Sequence, residues 1–275
     1  MLLEMGVRVW WPSADRAASE RLPQASGPQA TESVRVAAPV GGSAPPSPVM
    51  VSEPSPVAVG VAPPAPVGAS PSTGGPIDQM DWPALAQAVQ ACTACALCEG
   101  RKAPVFISDP APTQADWLIV GEAPDEQEER AGSPFVGEAG QLLDNMLRAV
   151  QCQRNGQGQG GARLTPVVKC RPAVVRPPNA DELVQCAVFL RREIALTRPR
   201  VILAMGRFAA MSLLAEDYPQ VLQMPLGQLR GGEFQVNGIP VVVTYHPVKL
   251  LRAPQEKANA WVDLCRARKL AHDPA

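Results

Sequence analysis

The sequence predicts an α/β protein: a three-layer α/β/α arrangement around a central, mainly parallel four-stranded sheet, carried by the last two-thirds of the chain. Three observations predict it. Short apolar runs at residues 117–120, 164–168, 201–204 and 241–244 have the length and composition of buried strands. The stretches between them place apolar residues at helical spacing. Strand and helix alternate, which is the pattern of a parallel sheet covered on both faces.

Residues 1–80 stand apart. They hold 14 of the 31 prolines and long Ala/Val/Pro/Ser/Gly runs such as Ala44-Pro45-Pro46-Ser47-Pro48. Such a composition cannot bury enough apolar surface to offset its conformational entropy, so a disordered tail is expected there, with one folded domain over residues 81–272. The tail opens on an apolar, aromatic stretch, Leu2 to Trp11, which reads as a tethered peptide for a protein partner or as a turn that packs on the domain. The start lacks the basic residues of a secretory signal, and no run has the length of a membrane span, so a cytoplasmic protein is expected.

Each element of the domain has its own signal. A helix begins near Asp81, with Leu85, Ala88, Val89 and Cys92 on one face. Gly121 ends the first strand. Residues 140–150 form a helix whose apolar side is Leu142, Leu143, Met146, Leu147 and Val150, and residues 156–161 read as a flexible glycine-rich loop. Asn179 and Glu182 make a capping box for a helix carrying Leu183, Cys186, Ala187, Leu190 and Ile194. After the third strand come a helix over residues 208–214, a hairpin-like Asn237-Gly238 turn, the fourth strand and a final helix over residues 255–269. In such sheets chemistry sits at the carboxyl ends of strands, which directs attention to the loops after Val120, Val168 and Thr244.

The net charge of −1 conceals a division. Residues 81–160 carry 5 basic and 11 acidic side chains, and residues 161–275 carry 16 basic and 9 acidic. The basic half is compatible with a phosphate backbone, and equally with ordinary solvated helix faces. Of seven cysteines, Cys92-x-x-Cys95 together with Cys170 and Cys186 make four thiols in two pairs. That number suits tetrahedral zinc or a four-iron cluster, and the wide separation of the second pair favours a cluster that joins distant segments. Cys98 is an alternate ligand; Cys152 and Cys265 read as free thiols.

Several motifs then fall in order: Cys92-Thr93-Ala94-Cys95, Gly121-Glu122-Ala123-Pro124, Pro134-Phe135-Val136-Gly137 within a longer block, Lys169-Cys170-Arg171-Pro172, and His246-Pro247 followed by Leu250-Leu251-Arg252. Over residues 85–270 the sequence resembles the family-4, iron–sulfur uracil-DNA glycosylases. The resemblance implies a uracil-DNA glycosylase-like fold acting, as a monomer, on uracil or a related deaminated base in single-stranded or duplex DNA. It implies a 4Fe-4S cluster held by Cys92, Cys95, Cys170 and Cys186. It also implies that His246 hydrogen-bonds the uracil oxygen and that Phe135 stacks on the flipped base. Glu122 and Ala123 would lie beside the pocket, and Glu128 would be the carboxylate on the sugar and water side. Leu250 or Leu251 would wedge into the emptied stack, and Arg252 would lie near phosphate. Without the resemblance, Glu126, Glu128 and Glu129 read as a solvated charge run, and His246 and Phe135 as structural residues.

The sequence departs from the family in the middle. Where the family carries an Asn that reads the uracil edge, four residues before the third cysteine, this chain has Pro166, which offers neither an amide side chain nor a backbone N–H. Asp125 replaces a glycine after Gly-Glu-Ala-Pro, and Ala173 and Val175 alter the segment after Cys170. Three readings follow: an active glycosylase with slower or relaxed base choice, a glycosylase-fold protein that binds DNA or a damaged base without efficient cleavage, and a scaffold recruited through its tail.

Overall fold

Asp81 caps the first helix, α1 (Trp82–Ala91). Its carboxylate accepts the Ala84 N–H at 2.9 Å, Pro83 sits in the first turn where no donor is needed, and Leu85 and Val89 bury one face. β1 (Ala115–Gly121) follows, then α2 (Glu126–Ala131) and α3 (Gly137–Ala149). A two-residue strand, β2 (Gln153–Arg154), leads into β3 (Gly158–Pro166). α4 (Ala180–Thr197) opens on the expected capping box of Asn179 and Glu182, and β4 (Val201–Met205) and α5 (Arg207–Leu214) come next. A single turn, α6 (Leu226–Leu229), precedes the hairpin of β5 (Phe234–Val236) and β6 (Ile239–Thr244). Asn237 and Gly238 both have positive φ, 51° and 76°, the backbone twist that a two-residue hairpin needs. α7 (Pro247–Arg252) and α8 (Lys257–His272) complete the domain.

This computed structural model describes residues 76–107, 114–156, 158–174 and 176–272. Residues 1–75 of the expected tail, its apolar opening included, lie outside the described residues, as does Val175. Among the described residues no helix is long and apolar enough to cross a membrane.

The strands form one sheet in the order β2-β3-β1-β4-β6-β5, parallel except for the β5–β6 hairpin. The fold class is as expected, but the sheet has six strands among the described residues rather than four. One extra strand is the β5 arm of the hairpin. The other is β2, which pairs with only Gly161 and Ala162 and is too short to show a period in sequence. The glycine-rich segment expected to be a loop is instead the start of β3. Gly158 and Gly160 adopt positive φ, and the pairing with β1 shifts register between Ala115 and Trp117. Glycine composition hid a bulged strand.

Successive side chains of the central strands enter opposite cores, as the period of two requires. Leu118, Val120, Ile202, Ala204, Val241 and Val243 pack with α1, α4 and α5. Trp117, Ile119, Leu203, Met205 and Val242 pack with α3 and α8. The chain leaves β1 toward α3 on one face and leaves β4 toward α5 on the other. Strand order reverses there, so the carboxyl ends of β1 and β4 border a crevice between diverging loops.

A buried polar knot joins β3 to α4. The Lys169 ammonium, 1% exposed, donates to Glu193 and to Thr165 Oγ1 at 2.6 Å and the Pro166 carbonyl at 3.0 Å, while Thr165 also donates to Glu193. Every donor of the ammonium has an acceptor, which offsets the cost of burying two charges. The knot fixes the segment from Pro166 to Cys170 against α4. Glu193→Ala leaves the ammonium buried and unpaired and is expected to cost about 3–5 kcal/mol of unfolding free energy, measured by urea denaturation.

Candidate active site

Gly121 ends β1 beneath the ring of Phe135. A Cβ at position 121 would lie 2.5 Å from the ring's Cζ, so only glycine admits this approach. Phe135 has φ 56°, the left-handed region that a side chain rarely adopts. Its backbone is held from both sides. The Phe135 N–H donates to Glu128 Oε1, and its carbonyl accepts from Arg154 Nη2 at 3.0 Å. Arg154 Nη1 also donates to the Pro134 carbonyl at 3.0 Å, and Arg154 Nε is paired with Asp144 at 2.8 Å. A Cβ at Gly140 would overlap the Phe135 carbonyl, so the same backbone is pressed from below.

The Phe135 ring stacks on His246, with centroids 5.3 Å apart and planes at 22°, and is 2% exposed. His246 is the N-cap of α7, and Pro247 starts the helix. Its Nδ1 accepts the Val248 N–H at 3.4 Å, so the neutral ring carries its proton on Nε2. Burial holds its pKa down at about 4, only partly opposed by the charge of Asp125. His246 is therefore a neutral donor at physiological pH rather than an acid.

Glu122 leaves the end of β1 toward α5. Its Oε1 accepts the Phe208 N–H at 3.2 Å, and a Cβ at Gly206, whose φ is 106°, would overlap that oxygen. Burial pushes its pKa up to about 7, against the pull of the backbone donors at Phe208 and Arg207. Asp125 and Glu128 form a capping box on α2: Asp125 Oδ1 accepts the Glu128 N–H, and Glu128 Oε2 accepts the Asp125 N–H, both at 2.9 Å. Asp125 is thus spent on a helix start. Both oxygens of Glu128 are taken by backbone donors, and burial raises its pKa. The run expected as a solvated charge stretch divides residue by residue. Glu126 is exposed and paired with Arg130, whereas Glu129 is 3% exposed and accepts from Arg171 Nε and the Lys102 N–H, each at 2.9 Å.

Pro166 is buried at the end of β3, opposite Gly121 of β1. The neighbouring Val167 N–H bonds the Gly121 carbonyl at 3.0 Å. Backbone direction alternates along a strand, so an N–H at 166 would face away from β1, past the end of β2, which reaches only Ala162. The ladder loses nothing to proline there. Ala123 is half-buried on the loop after β1. On α7, Leu250 is 0% exposed within the core and Leu251 is 39% exposed. A wedge must reach solvent, so burial removes Leu250 from that role and leaves Leu251, with Lys249 and Arg252 exposed in the same last turn.

Five cysteines, Cys92, Cys95, Cys98, Cys170 and Cys186, line one small gap together with Arg101 and Lys169. Arg101 Nη1 donates to Cys170 Sγ at 3.1 Å, and the Lys169 N–H donates to Cys186 Sγ at 3.3 Å. Burial raises the thiol pKa of Cys95 and Cys170 and pushes Cys186 up to about 12; their mutual proximity adds to it. Among the described residues no three such side chains converge tightly enough for a single metal ion. A soft, sulfur-lined gap with cationic and N–H donors already on two sulfurs suits a thiophilic metal group. Buried Cys152 and exposed Cys265 lie outside it.

Sequence reasoning did not find Arg154, Gly206, Arg101 or the Arg171–Glu129 pair. Of these only Arg171 lies in a motif, Lys169-Cys170-Arg171-Pro172, which gives no sign of its Glu129 partner; the only available signal for Arg154 was its isolation as the sole charge in the stretch 149–162.

The raised pKa of Glu122 has a testable sign. Between its ordinary value near 4.5 and about 7, the unfolded chain has lost this proton and the folded chain has not. The stability this group contributes is complete below the lower value and is lost as pH rises through about 7. Glu122→Gln removes that loss. Relative to the variant, the wild type is expected to weaken between pH 5 and pH 7.5 in urea titrations.

Residues 108–267 match the family model of the uracil DNA glycosylase superfamily. The type-4 uracil-DNA glycosylase of Pyrobaculum aerophilum is 35% identical over 193 residues, 67% of this chain and 92% of that protein. The type-4 enzyme of Thermotoga maritima is 34% identical over 169 residues, 61% of this chain and 82% of the relative. A type-5 uracil-DNA glycosylase of Pyrobaculum aerophilum is more distant, 28% identical over 146 residues, 48% of this chain and 61% of that protein. These matches establish that the chain belongs to the uracil DNA glycosylase superfamily, among the type-4 uracil-DNA glycosylases.

Proposed function

We propose that the protein hydrolyses the N-glycosidic bond of uracil, or a related deaminated base, in DNA, as a base-excision repair glycosylase. The observation that carries this reading is the neutral His246, with Nδ1 occupied by the Val248 N–H and its ring stacked on Phe135. A base must leave the helical stack to be cut. Phe135 supplies the apolar wall for the flipped base, and Ala123 lines the loop beside it. As the bond from C1′ to the base breaks, its electron pair goes to the uracil ring, and the His246 Nε2–H donates to the oxygen that gains charge. A neutral donor has no proton to lose first, and such preorganised donors are worth about 10²–10³ in rate. Water adds to C1′ and its proton passes to a base. Glu122, with a pKa of about 7, is suited to that task. Glu128 serves the site through Phe135, because backbone donors hold both its oxygens. Leu251 would fill the gap left by the base, and Lys249 and Arg252 would meet phosphates.

Cys92, Cys95, Cys170 and Cys186 would hold the 4Fe-4S cluster, with Cys98 beside them. When bound it cross-links the end of α1, the segment after β3 and α4. Binding to DNA agrees with the excess of basic side chains in residues 161–275, and we read the protein as a cytoplasmic monomer. The N-terminal tail would recruit a protein partner.

A second reading has its own support. Pro166 presents no hydrogen-bonding side chain where a base edge is read, and loss of such a reader can remove selectivity of about 10⁴–10⁵. This favours a protein that binds DNA or a damaged base without efficient cleavage. A single-turnover assay separates the two. The wild type is expected to release uracil from a single-stranded oligonucleotide, and His246→Ala to slow release by about 10²–10³. Pro166→Asn is expected to raise the rate. DNA binding without abasic-site formation at stoichiometric protein would establish the second reading. For the cluster, purified protein is expected to be brown with iron bound, and Cys170→Ser to lose both colour and iron; a colourless protein with stoichiometric zinc would reject it.

A further inference from the structure

Arg154 belongs to no motif, yet two of its donor groups hold the backbone that carries Phe135 and the third anchors it to α3. Nη1 and Nη2 hold the carbonyls of Pro134 and Phe135, each at 3.0 Å, and Nε holds Asp144 on α3 at 2.8 Å. The opposite side of the same peptide is held by Glu128 through the Phe135 N–H. A phenylalanine in the left-handed region costs on the order of 1–3 kcal/mol and persists only where its surroundings over-determine it. Here a carboxylate takes the N–H and a guanidinium takes the carbonyl, both charge-assisted bonds. Arg154 is carried on the two-residue β2, so its position depends in turn on the short pairing with β3.

We propose that Arg154 is a positioning residue for catalysis: with Asp144 and Glu128 it clamps the strained Phe135 backbone and so fixes the ring against His246. This rests on the glycosylase reading of the pocket. Without the guanidinium, Phe135 relaxes toward an ordinary backbone conformation and the ring swings from its place. The wall on which the base stacks is then lost, and His246 loses the ring against which it packs.

The test uses the full-length protein and two readouts. His246 and His272 are the only histidines, so their imidazole NMR signals are readily distinguished. In wild type the stacked Phe135 ring displaces the His246 signal. Arg154→Ala is expected to abolish that displacement and leave His272 unmoved, while Arg154→Lys, which retains one cationic donor, restores part of it. In single-turnover uracil release, Arg154→Ala is expected to lower the rate at saturating oligonucleotide on the order of tenfold, through misplacement of the stacking wall. Oligonucleotide affinity should be unchanged, because the phosphate contacts lie on α7. An Arg154→Ala protein whose His246 signal stays in its wild-type position overturns the proposal. So does equal loss in the Lys and Ala variants with both histidines shifted, which marks a merely structural residue. If the wild type releases no base, the glycosylase reading fails, and the NMR arm still decides the clamp.

Discussion

Two adjacent carboxylates on the six-residue helix α2 tie the two halves of the site together. Glu128 reaches forward to the Phe135 backbone and back to the helix's own start, while Glu129 turns the other way and accepts from Arg171 and Lys102. Arg171 follows Cys170 directly in the chain, and Cys170 lines the thiol gap. A helix this short has little stability of its own. It stands because its cap, its pocket contact and its link to the cysteine segment are made together. The Phe135 backbone and the cysteine-lined gap therefore share one rigid support. Loss of order on the cysteine side would reach the pocket through a single turn and a half of helix.

The same economy governs charge. The site brings together a histidine kept neutral by burial, despite the charge of Asp125, and a glutamate whose pKa burial raises to about 7. Charges with partners support the frame: Lys169 with Glu193, Arg230 with Asp263, Arg176 with Glu182, and Arg154 with Asp144 behind Phe135. Paired groups hold the frame, and groups held only by backbone donors remain free to respond when charge develops on a substrate.

The frame was legible in the sequence because it rests on local rules. Apolar runs of strand length, Asp81 and Asn179 as caps, and the Asn237-Gly238 turn each carry their own signal, and each marks an element of the fold, although β3 runs from Gly158 to Pro166 rather than over 164–168. Cys92, Cys95, Cys170 and Cys186 could be grouped from the motifs that they share with a family. What escaped notice depends on contacts between distant segments. β2 exists only because β3 pairs with it, the glycine-rich start of β3 reads as loop until β1 is beside it, and Arg154 gains meaning only when folding brings it under Phe135. Glu128 and Glu129 look alike in sequence, and only the direction of each side chain separates their work. Leu250 and Leu251 are likewise adjacent in sequence but face opposite environments, core and solvent, which only the helix's orientation decides.

Pro166 stands where the backbone asks for nothing. Its missing N–H faces no strand, its carbonyl still receives Lys169, and the ladder to Gly121 runs on through Val167. Most positions at the mouth of a site are bound to the fold and can change only at a cost in stability. This one makes no demand on a backbone N–H, so the side chain at 166 can change while the ladder to β1 is left intact.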